Sequence, residues 1–122
     1  MKIPKIIYND KILNKISWFG FVKGVTFLPY IILKEEYNSS AYYKNVAKKL
    51  INHESIHIKQ QSELLVIIFY VLYLLEFMIR FILSFDRYES YNNISFEREA
   101  KINEGNLDYI KTRKFWAWIK YL

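Results

Sequence analysis

Residues 64–85 read Leu-Leu-Val-Ile-Ile-Phe-Tyr-Val-Leu-Tyr-Leu-Leu-Glu-Phe-Met-Ile-Arg-Phe-Ile-Leu-Ser-Phe. No other stretch of this chain restricts its fold as strongly. Only Glu76 and Arg80 interrupt the run, one helical turn apart in the order that favours an i, i+4 ion pair. A helix of this length matches the roughly 20 residues needed to cross a bilayer. Each mid-segment charge opposes insertion by about 3 kcal/mol. Three placements follow: a central buried helix with its ion pair neutralised internally, a membrane span, or a helix half-sunk in a lipid surface. A span would put the chain on either side of it in different compartments. No group after residue 85 could then complete a site begun before residue 64. The expected placement is therefore buried or interfacial.

The remaining totals narrow the class. A chain of 122 residues is long enough to bury a core as one domain, residues 1–122. At 52% hydrophobic and 19% aromatic it is not a disordered sequence. It has no cysteine, which excludes disulfides, thiolate metal ligands and thiol nucleophiles. The net charge is +6, and the excess is N-terminal: residues 1–63 carry ten Lys against five acids, residues 86–122 seven basic against six acidic. Such an excess forms a solvated face or suits anionic lipid. No nucleic-acid recognition motif accompanies it, so nucleic acid is not an expected partner. The first fifteen residues alternate Lys with Ile and have no secretory h-region, which points to a cytoplasmic location.

Along the chain, residues 3–8 suit a short strand and Asn9-Asp10-Lys11 a turn. Gly20 and Gly24 punctuate the next run. Val25–Leu28 and Tyr30–Leu33 are rich in strand formers and read as two strands, as in a bent hairpin. Pro29 cannot donate to a ladder, so its strand lies at an edge or is bulged. Such an edge could hold an extended substrate by strand addition. Ser39 or Ser40 suits a helix N-cap. In the helix that follows, Val46, Ala47, Leu50, Ile51, Glu54, His57, Ile58 and Gln61 share a face, with Lys44, Lys48, Lys49, Asn52 and Lys59 largely opposite. After the apolar run, residues 86–94 read as a polar connection. Residues 95–104 read as a helix capped by Asn93 or Ser95 and stopped at Gly105. Residues 107–122 read as a last helix, with Lys111, Arg113, Lys114 and Lys120 among aromatics.

Both histidines of the chain fall in His53-Glu54-Ser55-Ile56-His57. On a helix His53 and His57 share one face, so both imidazoles reach one ion, while Glu54 sits about 100° round the helix axis. Neutral imidazole is a good zinc ligand, and a carboxylate beside a zinc-activated water is a general base. Two histidines do not complete a catalytic zinc site. With no third histidine, the further ligand is a carboxylate. Glu97 is favoured, because Ala100 one turn later lets its helix approach closely. Glu76 is the rival, though Arg80 beside it gives it a structural explanation. Glu99 and Glu104 are further candidates.

The pattern Asn52-His53-Glu54-x-x-His57-Ile58-x-Gln60-Gln61 followed by Glu97-x-x-Ala100 resembles the gluzincin clan of metallopeptidases. It is similar in particular to small bacterial zincin-like domains and, more distantly, to membrane-embedded CAAX-type proteases. Most of the chain also resembles short bacterial and phage proteins with the same apolar helix, Ile94–Ala100 run and Lys111–Trp116 ending. Glu76 stands at the spacing used by thermolysin-like enzymes. The resemblance implies His53, His57 and Glu97 as zinc ligands, Glu54 as general base, and a peptide or protein substrate. The clan often places Asp after the E-x-x-A to orient a ligand histidine. Here Lys101 stands there, so Glu99, Glu104, Glu36 or a backbone carbonyl must take that role, or the site is weakened. A second oxyanion donor is expected, with Tyr88, Tyr91, Tyr109 and Arg98 in suitable positions.

The expected fold is α+β and mostly helical: a minimal zincin-like helical core with a small N-terminal β element. The expected function is zinc-dependent peptide hydrolysis. The alternative is an inactive zincin-fold binding or structural protein, membrane-associated through helix 64–85.

Overall fold

A computed structural model of the protein describes residues 4–16, 23–38 and 41–122, and the side chains of 41–44 are outside that description. It is mostly helical with a small N-terminal sheet. Strand β1 (Lys5–Tyr8) leads into helix α1 (Asp10–Lys15), then β2 (Gly24–Phe27) and β3 (Tyr30–Leu33). A 3₁₀ turn at Glu35–Asn38 precedes α2 (Ala41–Leu64) and α3 (Val66–Ser84). The chain ends with α4 (Arg87–Asn92), α5 (Ser95–Asn103), α6 (Tyr109–Thr112) and a 3₁₀ turn at Ala117–Tyr121.

The sheet order is β1-β3-β2. Strands β2 and β3 form the expected hairpin, with Val25 opposite Ile32 and Phe27 opposite Tyr30. Pro29 falls in the turn, after a cis peptide bond from Leu28, so no ladder position lacks a donor. Strand β1 adds in parallel on the far side of β3, leaving β2 at the edge beside α2. The Gln61 amide occupies part of that edge: Nε2 donates to Thr26 O (2.8 Å) and Oε1 accepts from Leu28 N (2.8 Å). Those are groups an added strand would use.

Asn9–Lys11 is a helix start rather than a free turn: the Asn9 side chain accepts from Ile12 N and α1 follows. Gly20 and the Ser39 and Ser40 caps lie outside the described residues. The face of α2 is broader than its spacing suggested. Val46 is exposed, whereas Asn52 is buried and donates to the carbonyls of Glu104 (2.8 Å) and Asn106 (3.0 Å) beyond the end of α5.

Leu65, at φ 65°, is the only residue between α2 and α3. Helix α3 is not a buried core helix; 11% of its apolar window is buried. Its patterning is inside out. Phe69, Tyr70, Tyr73, Glu76 and Phe77 turn toward the rest of the chain, while Ile67, Val71, Leu75, Met78, Ile82 and Leu83 are exposed. Phe69 and Phe77 join Leu64, Ile94, Phe96 and Trp118 in one core. Ile31, Leu33, Tyr37, Ala47 and Ile58 form the other, between sheet and α2.

Residues 86–94 are not a connection. Asp86 accepts from Glu89 N (3.0 Å) and caps α4. Helix α5 is capped by neither Asn93 nor its own Ser95. Its cap comes from α3, where the Glu76 carboxylate accepts from the Ser95 amide and from Ser95 Oγ (2.8 Å). The single C-terminal helix expected at 107–122 is broken at Arg113, which is extended and turned inward between Glu63 and Glu99.

Candidate metal centre

Helix α2 carries His53 and His57 one turn apart, and the first turn of α5 brings Glu97 across to them. His53 Nε2 lies 3.1 Å from Glu97 Oε1, and His57 Nε2 lies 3.1 Å from Glu97 Oε2. All three groups are buried or nearly so, and their ligand atoms lie within 4.8 Å of one another. Ala100 is fully buried, as close approach of α5 requires. Tetrahedral ligands at zinc–nitrogen distances of about 2.0–2.1 Å stand roughly 3.3 Å apart, so the spacing admits one ion.

The hydrogen bonds behind the imidazoles fix their tautomers. The Gln60 amide donates through Nε2 to Phe96 O (3.1 Å) and Glu99 Oε1 (2.9 Å), two groups that only accept. Its Oε1 therefore faces His57 Nδ1 at 2.7 Å, and Nδ1 carries the proton. His57 Nε2 is left bare, buried and without a hydrogen-bond partner, against a carboxylate oxygen. His53 repeats the arrangement: Nδ1 donates to Glu104 Oε2 at 2.7 Å, and Nε2 turns to Glu97. The unpartnered Nε2 of His57, the Nε2 of His53 in hydrogen-bond contact with Glu97, and the Glu97 carboxylate thus converge on one point. Only a cation there, a proton or a metal ion, satisfies all three. The His53–His57–Glu97 group could hold a metal ion.

Proton affinities reflect the same demand. Burial alone would lower the pKa of His53, but the Glu104 and Glu97 carboxylates outweigh it and push it up to about 10. Burial also opposes charge on His57, which Glu97 raises nonetheless. Burial would raise Glu97, yet the two imidazoles hold it well below the usual carboxylate range.

Glu54 is buried beside the ligands without joining them. Thr26 Oγ1 donates to Glu54 Oε2 at 2.5 Å and lies 3.1 Å from the Glu54 backbone carbonyl oxygen. Gly24 makes room for it: a Cβ at residue 24 would stand 3.1 Å from Glu54 Oε1 and 2.7 Å from Leu33 Cδ2. Glu54 lines two cavities, one of about 490 Å³ toward Tyr70 and Leu74 and one of about 480 Å³ toward Lys101 and Glu104. Tyr91 and Glu97 line both as well.

The other sequence candidates divide. Glu76 caps α5 and pairs with Arg80 (3.8 Å), away from the ligand group. Glu104, behind His53, accepts from its Nδ1 and lies outside the His53–His57–Glu97 group. Glu99 binds Arg113 Nε at 2.6 Å and accepts from Tyr109 at 2.7 Å. Arg113 continues to Glu63 at 2.9 Å, so a buried chain of polar groups runs from His57 through Gln60 and Glu99 to Arg113. Arg98 donates to Tyr121 O. Of the four oxyanion candidates, Tyr88 and Tyr91 line the cavity of about 480 Å³.

Sequence reasoning missed Gln60 and Tyr73 as supports, the latter donating to Glu97 Oε2 at 2.7 Å. The signal for Tyr73 was available: Tyr70, Tyr73 and Glu76 recur every third residue and mark the inward stripe of an otherwise apolar helix. Comparison of the chain with known protein families, curated proteins and solved structures finds no match.

Proposed function

We propose that this protein is a zinc-dependent metallopeptidase of gluzincin type working at a lipid surface. The observation that carries the reading is the pair of Nε2 atoms facing Glu97, that of His57 without a hydrogen-bond partner, with Glu54 beside them at the meeting of two cavities. His53, His57 and Glu97 would hold the ion. Zinc bound there supplies Lewis acidity toward a scissile carbonyl and lowers the pKa of a bound water to about 7. Glu54, positioned by Thr26, takes a proton from the attacking water. The water oxygen bonds to the carbonyl carbon, the C–N bond breaks, and the proton passes from Glu54 to the leaving nitrogen. Tyr91, lining both cavities, is placed to face the developing oxyanion.

The lipid surface accounts for α3. Ile67, Leu83 and Phe85 are 79%, 80% and 80% exposed, and the apolar face they belong to runs the length of the helix. Both ends of α3 are tied to one body, because Glu97 beyond it meets His53 before it. That favours lying in the interface over spanning. The second reading is a non-catalytic ion cluster. It draws on the 3.1 Å contacts of Glu97 with both imidazoles, which protons could also satisfy.

Elemental analysis and a peptide-hydrolysis assay separate these. The expected result is one zinc per chain, lost in His57→Ala and in Glu97→Ala. Glu54→Gln should keep the zinc and lose turnover by about 10²–10⁴-fold. A wild-type chain that takes up no metal from a zinc-containing buffer sinks the enzyme reading. Co-flotation with anionic vesicles should be lost in an Ile79→Lys, Leu83→Lys double variant whose zinc content is unchanged.

A further inference from the structure

The two cavities that meet at Glu54 differ in kind. One is walled by Ile12, Val25, Phe27, Ile32, Phe69 and Leu74, and among the described residues its charged or imidazole groups are those of Glu54, His57 and Glu97. The other is walled by Lys23, Asn92, Lys101 and Glu104, with His53. Gly24, Glu54, Tyr91 and Glu97 line both, so the candidate centre lies where the two cavities adjoin. The apolar half is also continuous with the outside of the molecule. Leu74 lines it and is 43% exposed, on the apolar face of α3, and Phe27, 55% exposed, stacks on Tyr70 at its rim.

Resting on the peptidase reading, we propose that the substrate is a polypeptide crossing from an apolar stretch to a polar one, bound with that junction at Glu54. The polar side chains on this mainly apolar wall, Thr26, Gln61, Tyr70 and Tyr73, are already bonded within the protein, so a polar substrate residue there would leave its hydrogen bonds in water unreplaced. The opposite wall, with charges of both signs, keeps a polar flank hydrated. The exposed face of α3 is where an apolar stretch would be taken up, and Leu74 is where it would turn inward.

The test separates binding from turnover. Fluorescent peptides of one composition, either apolar-then-polar or scrambled, are titrated into the zinc-loaded Glu54→Gln protein by anisotropy. The junction peptide should bind at least tenfold tighter than the scrambled one. Leu74→Lys and, independently, Phe27→Ser should remove most of that preference while retaining zinc. Wild-type protein should then cut the junction peptide at the boundary. Equal affinity for both peptides overturns the proposal and leaves the peptidase reading standing. Selective binding without cleavage keeps the cleft assignment and overturns the peptidase reading.

Discussion

At the scale of single residues, Gln60 is the position whose loss should be most informative. It contacts no ion in the proposed site, yet it fixes the protonated nitrogen of His57 by accepting at Nδ1 while both its donors are taken by Phe96 O and Glu99. Gln60→Leu leaves Nδ1–H without its partner and frees the ring to rotate. Groups that orient metal-binding histidines are worth about 10–100-fold in metal affinity. A chelator competition should show a zinc affinity lower by that factor, with the fold retained. Unchanged affinity would mean that His57 does not bind through Nε2. The histidine pair of the candidate site was readable in the sequence because helical spacing decides which side chains share a face. Glu97 was favoured over Glu76, Glu99 and Glu104 because Ala100 lets its helix approach, and it is the carboxylate that meets both histidines. Gln60 and Glu104 were not readable as supports. Each acts through an atom-level contact across elements, and nothing in the spacing of α2 tells which of two buried glutamines faces the histidine.

At the scale of elements, two contacts between helices explain where the pattern-based reading departs from the fold. Glu76 looked like a rival ligand or half of a lone ion pair. It caps α5, the helix that presents Glu97, by accepting from the Ser95 amide and hydroxyl. Glu76→Ala should therefore cost about 1–2 kcal/mol of stability, the range for a lost N-cap, and should keep its zinc. Loss of zinc at unchanged stability would return Glu76 to the ligand set. The C-terminal segment reads as one helix by its apolar positions, but Arg113 breaks it by pointing inward. Its guanidinium bonds Glu63 and Glu99, and the three side chains are 3%, 4% and 0% exposed. Arg113→Met leaves two carboxylates buried without their partner. Breaking a buried pair in this way costs roughly 3–5 kcal/mol, to be read from the urea midpoint. A smaller loss would show that water reaches Glu99 when Arg113 is gone. A buried ion cluster of this kind cannot be foreseen from periodicity, since its members look like surface residues in the sequence. The inside-out pattern of α3 was only partly legible: the run was expected to be buried or interfacial, and its outward apolar face depends on what α2, α4 and α5 leave uncovered.

At the scale of the whole molecule, the proposed zinc site predicts that folding stability depends on pH with opposite slopes in the metal-free and zinc-loaded protein. Without metal, His53 holds its proton up to about pH 10 in the fold, against an ordinary value of 6.5. A group whose pKa is raised on folding stabilises the native state fully below its unfolded value, and that contribution fades as pH climbs through the folded one. His57 is shifted in the same direction. Glu97 is shifted down, so its contribution is present above the ordinary carboxylate range and is lost only in strong acid. The metal-free chain should therefore lose stability from about pH 7 toward pH 10, as the protons bridging Glu97 and the imidazoles leave. Zinc reverses this. It must displace those protons to bind, so its affinity rises with pH, and stabilisation follows the ratio of free zinc to Kd. Tm measured with zinc and with chelator should differ little near pH 6 and diverge by several degrees near pH 8.5. The chelated protein should fall over that interval and the zinc-loaded one should not. A chelated protein whose Tm rises across the same interval would mean that the two imidazoles are already neutral without metal. The close approach of Glu97 would then need another cause than a shared cation.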